Sequence, residues 1–170
     1  MRDRFFTMYQ EIKYNRYYFF HYLVRSTRIQ YIFKGFLALA TSASISSWLI
    51  WKQAEVVWGV IIAFSQIVMA LESIFPFSKQ ITTIRFLLPE IDLLIYDIEH
   101  DFDSIEEVND IQVSQMIYDF HLRYHQIEQK YIYDTYLPYN ERCRKKAEND
   151  RDCFFNFQYN QQVMGENNDG

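Results

Sequence analysis

Residue types that can carry chemistry are sparse in this sequence, and their spacing narrows what they can do. His121 and His125 stand four apart, so on a helix both imidazoles share a face and could hold a metal with Asp119 or Glu128. The same spacing equally describes two histidines on an ordinary solvated face. Cys143 and Cys153 lack the partner cysteines of a zinc site, which leaves either plain thiols or a regulatory one. Residues 1–28 are charged throughout and do not read as a cleavable signal, so reduced cytosolic thiols are expected. No phosphate-binding glycine loop, nucleophile elbow or paired-cysteine pattern occurs. Hence no cofactor and no metal are expected, and the chain is not expected to be an enzyme.

Two charged stretches remain. Arg142, Arg144, Lys145 and Lys146, with Arg151, are interleaved with Glu148, Asp150 and Asp152 and followed by Phe154, Phe155, Phe157 and Tyr159. They form either a solvated helix end or a contact for a nucleotide or anionic lipid. The stronger feature is acidic. Between Arg85 and Arg123 there is no Lys or Arg, while Glu90, Asp92, Asp97, Glu99, Asp101, Asp103, Glu106, Glu107, Asp110 and Asp119 supply ten carboxylates. Such a run reads as a solvated helix face and turn. Repeated around an oligomeric axis, it would instead attract cations toward the mouth of a pore.

The net charge of −5 conceals an asymmetry: residues 1–34 carry seven basic against two acidic side chains, residues 35–76 one against two, and residues 77–170 nine against eighteen. No basic face runs the length of the chain, which argues against a duplex nucleic-acid partner.

The elements that must position these groups are helices. Aromatics make up 19% of the chain while Gly is only 4 and Pro only 3, so turn chemistry is scarce and an all-α fold of one functional unit is expected. Residues 35–51 and 56–71 contain no charge and read as two transmembrane spans, joined so tightly by residues 52–55 that they must be antiparallel neighbours. Arg25, Arg28 and Lys34 precede the first span, and Lys79 and Arg85 follow the second, against a lone Lys52 in the turn. Both termini are therefore expected in the cytoplasm. Trp48, Trp51 and Trp58 gather at the turn, where indoles favour the headgroup level of the far leaflet. The competing reading makes these two helices the core of a soluble four-helix bundle, but the second span lacks the polar face such a helix should show.

Small or polar residues recur at helical spacing: Gly35, Ala38, Ser42 and Ser46 in the first span, Gly59, Ala63, Gln66 and Ala70 in the second. Each series keeps to one face, either for close packing of the hairpin on itself, with Gln66 bonded across helices, or as the contacts or lumen of an oligomer. Thr41, Ser44 and Ser47 lie on other sides of the first span, so no single polar stripe defines a pore.

Four segments follow: 1–30, a cytosolic aromatic and basic helix that either packs on other cytosolic helices or lies on the bilayer; 31–77, the hairpin; 78–137, an acidic helical stem; and 138–170, a basic and aromatic segment ending in a disordered tail from 161. In the stem, Phe77, Ile81, Ile84, Leu88, Ile91, Ile95, Ile98, Phe102 and Ile105 form a heptad seam, and Val113, Ile117, Phe120, Tyr124, Ile127 and Tyr131 repeat its rhythm. The seams serve an intramolecular bundle or self-assembly. Pro76 and Pro89 are expected to kink the stem, with Pro89 its hinge, and Ser104 with Glu107 has the spacing of a capping box after a turn near residues 101–104.

The order of these parts, a charged aromatic helix over residues 15–28, a tight hairpin over 35–71 and a helical stem over 78–100, resembles the SLATT-type two-transmembrane effectors of bacterial antiphage systems. Arg25 and Arg28 before a Ser-rich first span are the most specific piece of that resemblance; the acidic stem and everything after Ile105 lie outside it. It implies a homo-oligomeric effector of the bacterial inner membrane that forms a gated pore or ion channel, controlled by a nucleotide signal or a partner nucleotidyltransferase, and depolarises the infected cell. Two other functions compete. One is a non-conducting anchor or adaptor that recruits a cytosolic partner through the acidic stem, and the other is a holin-like lytic protein.

Overall fold

The computed structural model describes the backbone of residues 2–47, 55–74, 77–103, 105, 108–133, 135 and 137–166, and side chains for these except 39–47, 55, 57, 58, 61, 68, 69, 71–74, 77, 103 and 159–166. All regular structure among them is helical: α1 (Arg2–Ser47), α2 (Glu55–Ile74), α3 (Phe77–Asp103), α4 (Asp110–Ile132) and α5 (Glu141–Glu166). The chain divides into two compact units, one of Met1–Leu23 with Thr82–Gly170 and one of Val24–Ile81. Both boundaries fall inside helices, so α1 and α3 contribute to both units.

The first unit is a helical bundle around α3. Ion pairs Lys13 to Glu99 and Arg16 to Asp92 set α1 antiparallel to α3, and Arg123 to Asp97 and Lys130 to Glu90 set α4 antiparallel to it on another side. Enclosed on several sides, α3 buries Ile84, Leu87, Leu88, Ile91, Leu94, Ile95 and Ile98. Each such aliphatic side chain contributes roughly 1.5–3 kcal/mol when withdrawn from water. The predicted seam is thus buried within one chain from Ile84 to Ile98, with Phe102 partly buried and the Phe77 side chain outside the description, and Leu87 and Leu94 widen it beyond a two-column heptad. From α1, Phe5, Met8, Tyr9, Ile12, Phe19 and Tyr22 enter the same core, so the aromatic N-terminal segment packs on its own bundle. The Phe5 ring lies 6.1 Å from Phe102 and 6.1 Å, edge on, from Phe120. In the second series Val113, Phe120 and Tyr124 are buried, and Ile117, Ile127 and Tyr131 flank them.

Several boundaries differ from the sequence reading. The segment expected to end near residue 30 is part of one helix to Ser47, because no proline interrupts it and Gly35 alone weakens it. Helix α4 starts later than a Ser104 cap would place it: Asn109 caps it, its Oδ1 accepting from Gln112 N at 2.9 Å while Gln112 Oε1 accepts from Asn109 N at 3.4 Å. Ser104 and Glu107 lie outside the described residues, as does Pro76. Helix α3 is continuous through Pro89; Arg85 and Pro89 are both exposed, where water can bond the carbonyl that the proline leaves without a donor. Helix α5 continues past residue 161 to Glu166, beyond the point at which polar composition suggested a tail.

Candidate functional site

Among the described residues, no helix is long and apolar enough to cross a membrane. Large parts of both predicted spans lie outside that description, including Trp48, Trp51, the turn around Lys52, and the side chains of Ser42, Ser46 and Trp58. What is described of the second unit has an inverted polarity. Its buried side chains are Ser26, Ser65, Gln80 and Ile81, while Val24, Tyr31, Ile32, Val56, Val60, Ile62, Phe64 and Ile67 are exposed. In water this arrangement forgoes the main driving force of folding.

Helix α2 shows the inversion most clearly. Val56 is 80% exposed, and Val60, Ile62, Phe64 and Ile67 also face out, whereas Ser65 is only 9% exposed. At 100° per residue those apolar positions cover more than half of the circumference, with Ser65 opposite Val56. The hairpin is held from within the unit by Phe36 against Phe64, rings 5.4 Å apart and edge on, and by Gln30 Nε2 donating to Ser78 Oγ at 2.7 Å. The small-residue row Gly59, Ala63, Gln66 and Ala70 takes no part in that contact. All four are exposed, and a Cβ built on Gly59 would meet nothing within 4 Å. Gly35 is equally open and Ala38 is exposed, while the side chains of Ser42 and Ser46 lie outside the description.

The acidic belt has a different fate. Four of its six central carboxylates are joined to cations from neighbouring helices of the first unit. Glu99 Oε1 accepts from Lys13 Nζ at 2.7 Å and from the Tyr9 hydroxyl at 2.6 Å; Asp92 accepts from Arg16 Nε at 2.8 Å. Asp97 accepts from Arg123 at 2.6 Å, and Glu90 from both Lys130 and the Tyr131 hydroxyl at 2.6 Å. Asp101 lies 3.3 Å from His100, and the side chain of Asp103 falls outside the description. Hence the belt is largely a set of rivets: Glu90 and Asp97 form one row seven apart toward α4, Asp92 and Glu99 another toward α1. Burial pushes the Glu99 carboxyl up, but the bonds from Lys13 and Tyr9 outweigh it and hold the group below its ordinary value. Lys130 and Tyr131 lower Glu90 likewise. Burial, reinforced by Glu99, raises the Tyr9 hydroxyl far above the usual phenol.

Lys13 is the most enclosed cation of this frame. Its ammonium also lies 3.9 Å from the centroid of Phe154 on α5, which ties three helices through one side chain. Other ties of α5 to α1 are Phe6 and Tyr9 against Phe155, each with rings 5.2 Å apart, and His21 Nε2 at 2.7 Å from Asp150.

The basic segment is partly spent within its own helix. Arg144 reaches Glu141 and Glu148, each at 2.7 Å, and this with the Tyr139 hydroxyl bond lowers the Glu141 carboxyl to about 2. Lys145 stands 3.8 Å from Glu141. Arg142 and Lys146 are exposed, with no carboxylate at ion-pair distance among the described residues. His121 and His125 are exposed on α4, His125 meeting Gln129, and no group of three or more His, Cys, Asp or Glu among the described residues is placed to hold a metal.

No protein family, curated protein or solved structure matches this chain. Its function is therefore argued from the geometry above. Two elements of that geometry escaped the sequence: the rivets and the wide buried face of α3. A signal for the first was present, since carboxylates seven apart on one helix faced cations at three and seven apart on two others, Lys13 with Arg16 and Arg123 with Lys130.

Proposed function

We propose that this chain is an oligomeric two-span protein of the bacterial cell membrane, both termini cytoplasmic, whose hairpins form a pore gated by the helical bundle. The observation that carries this reading is the inverted polarity of the second unit: apolar side chains outward over more than half of α2, polar Ser26, Ser65 and Gln80 inward. Lipid tails or further copies of the hairpin are the surroundings that make such a surface favourable, and uncharged residues 35–51 and 56–71 supply the segments. The open row of Gly59, Ala63, Gln66 and Ala70 suits close approach of a neighbouring copy, with Gln66 as the polar group presented to the shared interior.

Gating requires the trigger to bind the open and closed arrangements unequally. The riveted bundle is the body through which such a difference would act, with Pro89, where α3 lacks one backbone rung, as its proposed hinge. The role as an antiphage effector under nucleotide or nucleotidyltransferase control rests on the SLATT resemblance. A potential-sensitive dye tests the whole reading in bacteria that express the protein with and without its genomic neighbours or phage challenge. Depolarisation that depends on the trigger and weakens in Gln66→Leu supports it; depolarisation without any trigger indicates a holin-like protein.

One observation favours a second reading, the non-conducting anchor. Phe86, Leu93 and Tyr96 project from α3 as an exposed stripe between the two rows of ion pairs, an apolar centre with a charged rim of the kind partner proteins bind. An unchanged membrane potential, with the protein present in the membrane under challenge, would favour it.

A further inference from the structure

At the end of the first unit where the chain leaves and returns, exposed tyrosines stand beside exposed cations. The chain departs after Leu23 and re-enters at Thr82. Thr135, in the connection between α4 and α5, lies 3.4 Å from Thr83, and Asn140 N donates to the Tyr18 hydroxyl at 3.2 Å. That connection therefore sits at the exit end. Tyr133 (86% exposed) and Tyr139 (69%) project from it. The first two turns of α5 follow directly, with Arg142, Lys145 and Lys146 exposed and Cys143 and Ala147 buried. Exposed phenols beside exposed Arg and Lys match the chemistry of a bilayer interface, where amphipathic rings sit among headgroups and cations meet lipid phosphates.

We infer that the α4–α5 connection and the start of α5, through Tyr133, Tyr139, Arg142, Lys145 and Lys146, form a docking surface for anionic lipid headgroups of the cytoplasmic leaflet. This rests on the membrane reading above, which supplies the bilayer. Arg144 is left out of the surface because Glu141 and Glu148 each hold it at 2.7 Å, whereas Lys145 has only the longer 3.8 Å contact to Glu141. Contact with the leaflet would fix the bundle against the membrane, so that its movement relative to the surface depends on lipid charge.

The test is hydrogen exchange on the full-length protein in nanodiscs of phosphatidylcholine alone or mixed with phosphatidylglycerol. Amides of residues 133–147 should exchange several-fold more slowly in the anionic discs, since each cation near an anionic leaflet is worth roughly fivefold in partition. High salt and the triple variant Arg142→Glu, Lys145→Glu, Lys146→Glu should each abolish the difference. Equal exchange in both lipids, with the protein incorporated, overturns this inference alone. Failure to incorporate into discs at all overturns the membrane reading and this inference with it. Equal protection by inorganic phosphate in neutral discs overturns the lipid assignment in favour of a free-anion site.

Discussion

Lys13 and Tyr124 show what burial demands of a polar side chain. Lys13 is enclosed yet charged, and it is matched by a carboxylate, Glu99, and an aromatic face, Phe154. Replacing it with methionine removes a charge-assisted bond and leaves Glu99 with Tyr9 alone; a loss of about 1–2 kcal/mol is expected, read from urea unfolding of the bundle. The Tyr124 hydroxyl is buried without a hydrogen-bond partner among the described residues, although Glu128 and Asn15 stand close enough to influence its acidity. Tyr124→Phe should therefore be neutral or stabilising by up to about 1 kcal/mol, and a clear loss of stability would mean that the hydroxyl is bonded. The same contacts set the response to pH. Glu99 and Glu90 are lowered in the folded protein, so their contribution is complete above the unfolded glutamate value, about 4.3, and is lost as pH falls through their folded values. Tyr9 and Tyr124 are raised, so theirs is complete below about 10 and lost as pH climbs above it. Urea midpoints across pH should show both declines, and Glu99→Gln should flatten the acid limb.

The behaviour of α3 turns on which of its faces is covered. Neighbours Leu93 and Leu94 are 66% and 1% exposed, Leu93 lying opposite the heptad seam and Leu94 on its flank. Leu94→Ala is expected to cost about 2–5 kcal/mol and Leu93→Ala less than about 0.5 kcal/mol, measured by the same unfolding assay. If Leu93 instead proves costly in the full-length protein, its stripe is covered by another chain. At the start of α4, Asn109→Ala should remove about 1 kcal/mol, as the loss of one cap does. The heptad spacing of α3 and α4 was legible because a helix repeats its faces locally. Leu87 and Leu94 were not, since only the positions of α1 and α4 around α3 decide how wide the buried face must be.

Among the described residues, the two units differ in burial: Met1–Leu23 with Thr82–Gly170 encloses apolar side chains and pairs its enclosed charges, whereas Val24–Ile81 leaves Val24, Tyr31, Ile32, Val56, Val60, Ile62, Phe64 and Ile67 exposed. If lipid covers the outward arc of α2, Val60→Arg should cost roughly 2–4 kcal/mol of insertion and lower the membrane-integrated fraction on alkaline extraction. A surface covered by water would accept that arginine unchanged. By itself the sequence determined that the chain is helical, where its uncharged stretches run and which residues repeat along each helix face, because these follow from composition and local period. Tertiary structure alone decided that the acidic belt is riveted by Lys13, Arg16, Arg123 and Lys130, that α1 joins the core, and that Gly59, Ala63, Gln66 and Ala70 stay uncovered within one chain. The physical reason is distance along the chain. Periodicity tells which side chains share a face, but which helix comes to lie opposite is settled by contacts between residues tens of positions apart.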